Sequence, residues 1–268
     1  MWKWETVNGI NYISLNSWVN DGVKLAFTDR AGGNSEGDYK SLNMGLHVGD
    51  TREMVLENRR LFLDAFNINL EDAVCCQQVH GNKVIRVGLE DKGKGAAVYD
   101  TAIPGVDGLI TDTPGVALLT YYADCVPLYF FDPIHRVIGL SHAGWKGTIS
   151  NIVKSTLDEM KCEFGTKPDD IRAFIGSGID ACCFQIDDEL AERVKNKYPY
   201  FHGIISENNN NEVFWNLKDT NRHLLIENGV KKENITICAL CTCCEKRFFS
   251  YRREKGNTGR MAAMVVLV

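Results

Sequence analysis

Short apolar runs separated by turn residues dominate the hydrophobic pattern of this chain. Most runs are bounded by glycine, proline, asparagine or aspartate, which is typical of β-strands. The first sixteen or so residues alternate loosely and predict a hairpin that turns at Asn8 and Gly9. The runs that predict strands are residues 23–28, 74–79, 83–87, 107–110, 116–122, 126–131, 137–140, 171–175, 235–240, 248–251 and 262–268.

Apolar residues at helical spacing predict four helices between these strands. They cover residues 51–66, 148–164, 187–197 and 217–228. Asp50 or Thr51 is a suitable cap for the first helix, and Gly229 ends the last. Helical and strand segments alternate along the chain without an internal repeat or a linker. The pattern therefore predicts one α/β domain, residues 1–268, with a mixed sheet.

Composition narrows the class of protein. The chain has 268 residues, a net charge of −5 and a pI of about 5.7, so it has no basic surface of the kind that binds nucleic acid. It has no apolar run long enough to span a membrane and no signal peptide, so we expect no membrane contact and a cytoplasmic location. Its ten cysteines are then expected to be reduced thiols.

Reactive side chains concentrate in residues 123–148, which read as a strand, a turn, a second strand and the start of a helix. Cys125 precedes the first of these strands and His142 follows the second, while His80 follows an earlier strand at a His-Gly turn. Two imidazoles and a thiolate suit zinc and leave a fourth position for water or substrate. Two other interpretations remain open: a Cys125–His142 nucleophile and base pair, or buried residues without chemistry.

Two further features of the sequence allow more than one interpretation. Lys146 stands at a predicted helix start, where backbone N–H groups and a cation suit phosphate, although Gly144 and Gly147 alone would explain a tight turn. Cys241 and Cys244 form a C-x-x-C spacing, but a zinc ribbon needs two such pairs. The other neighbouring cysteines, Cys75-Cys76 and Cys182-Cys183, are adjacent pairs, which favours reduced thiols.

Several motifs resemble those of the YfiH-like laccase-domain family. They are CQQVHG at residues 76–81, PGVDGLITD at 104–112, ADCVP at 123–127 and HAGWKG at 142–147. SLNMGLHVGD at 41–50, ENRR at 57–60, and FFSYRR and TGR near the C-terminus also fit. The resemblance extends from about residue 23 to residue 268. It implies a layered α-β-β-α sandwich with mixed sheets, similar to the catalytic domain of a deamidating toxin.

The same resemblance implies an activity and a ligand set. The activity is that of a zinc-dependent purine nucleoside phosphorylase, acting on adenosine, inosine, guanosine and methylthioadenosine with phosphate, with adenosine deaminase activity in addition. Carried over motif by motif, the zinc ligands would be His80, Cys125 and His142. The expected partners are therefore purine nucleosides and phosphate.

The remaining site residues are assigned by their places in the sequence. Asp124 is the nearest candidate for a general acid or base, and Asn43 is a candidate substrate contact. Arg59 and Lys146 are candidates to hold phosphate. Lys146 stands where the family usually has arginine, and the loop at residues 175–180 also departs from the family pattern.

Three alternative functions remain open. One is a metal-free hydrolase or deamidase using Cys125 and His142, and another is a non-catalytic binding protein stabilised by zinc. The third is a copper-dependent polyphenol oxidase, or laccase. The chain has six histidines and no His-x-His pair, so a four-copper centre is not expected, although copper could occupy the His-Cys-His site.

Overall fold

A computed structural model describes all 268 residues of the chain. The strands are β1 (Trp2–Val7), β2 (Ile10–Leu15), β3 (Val23–Thr28), β4 (Ala73–Cys75), β5 (Val84–Arg86), β6 (Gly108–Thr111), β7 (Ala117–Tyr122), β8 (Val126–Asp132), β9 (Val137–Ala143), β10 (Arg172–Ile175), β11 (Gln185–Ile186), β12 (Ile205–Glu207), β13 (Val213–Trp215), β14 (Ile235–Ile237) and β15 (Met261–Leu267). The helices are α1 (Asn16–Asn20), α2 (Arg52–Asp64), α3 (Trp145–Ile149), α4 (Ile152–Phe164), α5 (Asp188–Lys197) and α6 (Leu217–Glu227).

Two six-stranded mixed sheets form the centre of the fold. The first has the order β1-β2-β3-β15-β7-β4 and the second β14-β10-β8-β9-β6-β5. Their inner faces pack on each other through a core cluster that includes Phe27 and Val265 from the first sheet and Phe131 and Leu140 from the second. Tyr129 also donates a hydrogen bond of 2.8 Å across this interface to the carbonyl of Ala26.

Both faces of the central strands, such as β7, β8, β9 and β15, are buried, which explains why these strands read as continuous apolar runs. In β15, Ala263 and Val265 belong to the core between the sheets, whereas Met264 and Val266 face the other way onto the α2 layer. The outer face of the second sheet packs against α4 and α6. The predicted α-β-β-α sandwich with mixed sheets is therefore confirmed. A small sheet, β11-β13-β12, was not predicted because its strands have only two or three residues.

The strand predicted at residues 74–79 ends at Cys75, because a side chain replaces the backbone pairing beyond that point. The Gln78 amide donates to the Tyr121 carbonyl over 2.9 Å and accepts from the Tyr121 N–H over 2.8 Å. This pair of bonds satisfies the same groups that a longer strand would have paired. It leaves the following residues, including His80, free to turn.

The helix predicted at residues 148–164 is two helices, α3 and α4. Asn151 separates them in the left-handed conformation with a φ of 59°, and its side chain accepts a hydrogen bond from the Lys154 N–H. Asparagine tolerates this conformation better than most residues, and it caps helices well. The break lets α3 begin directly after β9.

The strand predicted at residues 248–251 is wrong, since this segment is a turn held by side chains. The Arg253 guanidinium donates to the carbonyls of Thr242 and Cys243 over 2.9 Å each. The Ser250 hydroxyl donates to the Asp124 carboxylate over 3.0 Å. These bonds occupy the polar groups locally, so the apolar and aromatic composition of the segment does not lead to strand pairing.

None of the helices has the combination of length and apolar character needed to cross a membrane.

Candidate active site

Antiparallel pairing of β8 with β9 brings Cys125 and His142 together. Val126 pairs with Ala143 and Pro127 pairs with His142, so the residue before β8 lies beside the end of β9. Cys125 occupies that position after Asp124, whose φ is 87°. The pairing of the two strands thus brings together two reactive side chains that are separated along the sequence.

His80 enters the same place from the loop after β4, and Asp107 fixes its backbone. The Asp107 carboxylate accepts hydrogen bonds from the backbone N–H groups of Val79, His80 and Gly81 over 3.2, 2.9 and 2.7 Å. His80 has a φ of 61°, a conformation that is uncommon for a residue other than glycine. Three bonds to one buried carboxylate stabilise this turn.

Asp107 also orients His142. Its Oδ1 lies 2.9 Å from Nδ1 of His142, and both side chains are buried. Burial raises the pKa of Asp107, but the bonds from His142 and from the backbone outweigh it, so the pKa lies below its ordinary value. An ionised Asp107 accepts a hydrogen bond from the Nδ1–H of His142 and leaves Nε2 of His142 for another partner, which is the arrangement found behind metal-binding histidines.

The structure brings His80, Cys125 and His142 into one compact group, with their ligand atoms all within 4.8 Å of one another. Gly144 makes room for this group, because a Cβ at that position would lie 2.9 Å from Cδ2 of His80 and 3.1 Å from Sγ of Cys125. Two imidazole nitrogens and a thiolate this close together fit a single zinc ion. Their role as metal ligands stays a prediction.

The pKa shifts of Cys125 and His142 favour an ion pair between the two side chains. Burial raises the pKa of the Cys125 thiol, but the charge of His142 and hydrogen bonds from His142 and His80 outweigh it and lower that pKa to about 6. Burial lowers the pKa of His142, but Cys125 and Asp107 raise it to about 9. Between these values the pair is a thiolate and an imidazolium, which is the reactive form of a cysteine.

Alkylation of the metal-stripped chain should report this ion pair. We expect iodoacetamide to modify Cys125 at a nearly constant rate from about pH 9 down to about pH 7, because the thiolate is the nucleophile and its pKa is about 6. Below the pKa the rate should fall about tenfold per pH unit as the thiolate is protonated. Peptide mass spectrometry assigns the modification to Cys125. A rate that still rises steeply between pH 7 and 9 would show an ordinary thiol instead.

The group of three lies in a cavity of about 530 Å³. This volume is within the range of pockets that hold small organic ligands. Aromatic side chains form much of its wall: Tyr99, Tyr121, Trp145, Phe184 and Tyr251. Flat apolar surfaces of this kind suit a heterocyclic base.

Positive charge enters the cavity from Arg59, Arg252 and Arg260. Arg59 is buried, and its guanidinium donates through Nε to the Met44 carbonyl and through Nη1 to two further carbonyls, while it lies 4.4 Å from the Tyr121 ring centre. These bonds use Nε and Nη1 and leave Nη2 without a hydrogen-bond partner in the protein. Arg260 uses Nη1 for the carbonyls of Thr258 and Gly259. His47 also lines the cavity. Burial and the positive charges of Arg260 and Arg59 lower the pKa of His47 to about 4.

Asp124, the candidate general acid or base, lines the cavity, but its carboxylate is heavily hydrogen-bonded. Oδ1 accepts from the Thr242 hydroxyl over 2.7 Å. Oδ2 accepts from the Ser250 hydroxyl over 3.0 Å and from the Arg252 N–H over 2.7 Å. This arrangement fits a residue that positions the turn at residues 248–252 and the backbone before Cys125.

Neither Asn43 nor Lys146 lines the cavity. Asn43 is fully buried, and its amide bonds the backbone N–H groups of Gly45 and Arg260 and the carboxylate of Asp50. It therefore holds the segment that carries Arg260. Lys146 is exposed, with Nζ 5.4 Å from the centre of the Trp145 ring.

Sequence reasoning missed Asp107 and Arg260 as site residues. Asp107 was the first residue of a predicted strand, and its only local signal was a carboxylate between Val106 and Gly108. The hydrophobic pattern gave no signal for Arg260, because only the pairing of β15 with β7 brings the end of the chain to the cavity. Both lie in motifs that carried the family resemblance, PGVDGLITD and TGR.

Comparison with known proteins agrees with the fold and the site motifs. The family model described as multi-copper polyphenol oxidoreductase laccase matches residues 24–268. Purine nucleoside phosphorylase YlmD from Geobacillus stearothermophilus is 41% identical over 246 residues, which are 91% of this chain and 90% of that protein. Adenosine deaminase RL5, from an unknown prokaryotic organism, is 31% identical over 90% of this chain and 92% of its own length. The crystal structure of YlmD from Geobacillus stearothermophilus superposes with a TM-score of 0.93 at 38% identity, covering 98% of this chain and 97% of that one.

Proposed function

This chain belongs to the multi-copper polyphenol oxidoreductase laccase family, and we propose that it is a zinc-dependent purine nucleoside phosphorylase with adenosine deaminase activity. Proteins similar to this chain are named purine nucleoside phosphorylase and adenosine deaminase, which supports the proposal. The observation that carries the proposal is the compact group of His80, Cys125 and His142 at the wall of an aromatic cavity. The substrates would be adenosine, inosine, guanosine and methylthioadenosine, with phosphate as the second substrate.

His80, Cys125 and His142 would hold the zinc ion, and Asp107 would keep His142 in the right tautomer. Zinc bound there supplies Lewis acidity, which polarises a substrate atom and makes water more nucleophilic at neutral pH. The Cys125 thiol is already disposed to ionise, so it is ready to act as a ligand. The donor set does not fit a four-copper centre, since it brings together only two of the six histidines.

The cavity walls would bind the two substrates of phosphorolysis. Tyr121, Trp145 and Phe184 offer ring surfaces for the purine, and stacking of this kind contributes about 1–3 kcal/mol per base. Arg59 and Arg260 would hold phosphate, whose oxygen attacks C1′ of the sugar. The bond from C1′ to the purine nitrogen then breaks, which gives the free base and the sugar 1-phosphate.

Deamination would use the same purine position but no phosphate. Water adds at C6 of adenosine and ammonia leaves, so the product is inosine. The general acid or base of this step remains to be assigned, and Asp124 stays a candidate. Its three hydrogen bonds favour a role in positioning the backbone before Cys125.

A second candidate function rests on the ion pair between Cys125 and His142. With Asp107 behind the imidazole, these residues form a Cys-His-Asp arrangement of the kind that activates a cysteine nucleophile. Such a hydrolase or deamidase would work without metal. The two functions therefore differ in their dependence on zinc.

A nucleoside panel tests the proposed function. Purified protein is incubated with each of the four purine nucleosides, with and without millimolar phosphate, and with uridine as a control. We expect free base and sugar 1-phosphate only when phosphate is present, and inosine from adenosine in its absence. If no purine nucleoside is converted while simple amides are hydrolysed, the cysteine hydrolase replaces the phosphorylase.

A further inference from the structure

Four cysteines form a second compact group outside the cavity. They are Cys182, Cys183, Cys241 and Cys244, and their sulfur atoms all lie within 4.8 Å of one another. Sγ of Cys244 is 3.4 Å from both Cys182 and Cys183. All four are free thiols, and none of them belongs to the His80–Cys125–His142 group.

The two halves of this group come from turns that are distant in the sequence. Cys182 and Cys183 lie in a turn between β10 and β11, and Cys241 and Cys244 lie in a turn after β14. Parallel pairing of β10 with β14 continues into a bridge between Gly178 and Cys241, which brings the turns together. An adjacent pair therefore completes the C-x-x-C pair that had no partner in the sequence.

We propose that Cys182, Cys183, Cys241 and Cys244 bind a zinc ion as a structural site. Four thiolates in tetrahedral coordination at about 2.3 Å from the metal are about 3.8 Å apart, which is close to the separations in this group. A set of four sulfurs leaves no open position, so the site is closed and not catalytic. The N–H of Asp180 donates to Sγ of Cys241 over 3.3 Å, a bond that orients the ligand.

This zinc ion would tie together two loops that shape the catalytic cavity. The first is the loop at residues 176–184, which carries Cys182 and Cys183 as well as two residues that line the cavity, Ile179 and Phe184. The turn at Cys241–Cys244 carries Thr242, whose hydroxyl donates to Asp124. Arg252 adds a bond from its guanidinium to the Cys183 carbonyl over 3.1 Å. Loss of the ion should therefore loosen one cavity wall.

Metal analysis of variants tests the site independently of the catalytic metal. Protein purified from zinc-supplemented cells, without chelators, should hold about two zinc ions per chain. The double variant Cys241→Ser/Cys244→Ser should hold about one and melt at a lower temperature, and Cys125→Ser should also hold about one. Cys162→Ser removes an exposed thiol of α4 and should keep both ions. If the double variant binds as much zinc as the wild type, the proposal is wrong.

A measurement on the wild-type chain covers the case in which the double variant does not fold. Alkylation with and without a chelator is followed by peptide mass spectrometry. Cys182, Cys183, Cys241 and Cys244 should be protected until zinc is removed, whereas Cys162 should react at the same rate in both conditions. Equal rates at the four cysteines before and after chelation, or a disulfide among them in place of zinc, would overturn the proposal.

Discussion

Replacing Cys125 by alanine will reduce phosphorolysis of inosine and adenosine by more than about a hundredfold, because it removes a proposed metal ligand. Even the outer hydrogen-bond partners of metal ligands are worth about 10–100-fold in affinity or activity. The fold should persist, since the side chain lost is small. Initial rates, zinc content and thermal unfolding of the variant measure the three effects separately.

Cys76→Ala is the matched control for this variant. Cys76 lines the same cavity and is buried, but it lies outside the His80–Cys125–His142 group. Its thiol stays neutral, because burial raises its pKa well above the ordinary value. We expect Cys76→Ala to retain zinc and most of the activity. Similar losses in the two variants would indicate a packing effect rather than the loss of a ligand.

Arg260→Gln should weaken phosphorolysis at limiting phosphate by roughly ten- to hundredfold. A hydrogen bond to a charged group contributes about 1.5–3 kcal/mol, which converts to that factor. Adenosine deamination uses no phosphate, so it should change much less. Arg260 is a cleaner target than Arg59, because Arg260 bonds only the nearby carbonyls of Thr258 and Gly259. Arg59 instead joins the distant carbonyls of Met44, Gly95 and Ala96, which its removal would leave without a donor. Both reactions are measured at low and at saturating phosphate.

Lys146→Ala serves as the comparison, since the sequence pointed to Lys146 as a phosphate ligand. Its side chain is exposed and lies outside the cavity lining, so we expect this variant to behave like the wild type in both reactions. A selective loss of phosphorolysis in Lys146→Ala, with Arg260→Gln unaffected, would place phosphate at the start of α3 instead. An equal loss of both reactions in Arg260→Gln would point to a structural role for Arg260.

The hydrophobic pattern predicted most of the strands and helices because such patterns are local, whereas the layered arrangement of two sheets came from the family resemblance. The apolar runs of β3, β8 and β10 needed no knowledge of their partners to be recognised. Side chains that compete for backbone groups were not predictable in this way. Gln78 ends β4 by bonding Tyr121, and Arg253 holds the turn that was predicted as a strand. The first bond joins residues 43 apart along the chain, and the Ser250–Asp124 bond of the same turn joins residues 126 apart.

The same distinction applies to the candidate site. His80, Cys125 and His142 attracted attention because each stands at the end of an apolar run. Asp107 was missed because its role depends on contacts with the His80 turn and with His142, which no spacing reveals. The four-cysteine group was missed for a similar reason. Its two pairs look unrelated until the bridge between Gly178 and Cys241 joins their turns.

The dependence of phosphorolysis on metal tests the central claim most directly. The protein is stripped with a chelator, its fold is checked by near-ultraviolet circular dichroism, and inosine phosphorolysis is measured before and after stepwise addition of Zn²⁺. We predict that stripped, folded protein is inactive and that about two equivalents of zinc per chain restore activity in the wild type but not in Cys125→Ala. Full phosphorolysis by the metal-free chain would contradict a zinc site at His80, Cys125 and His142.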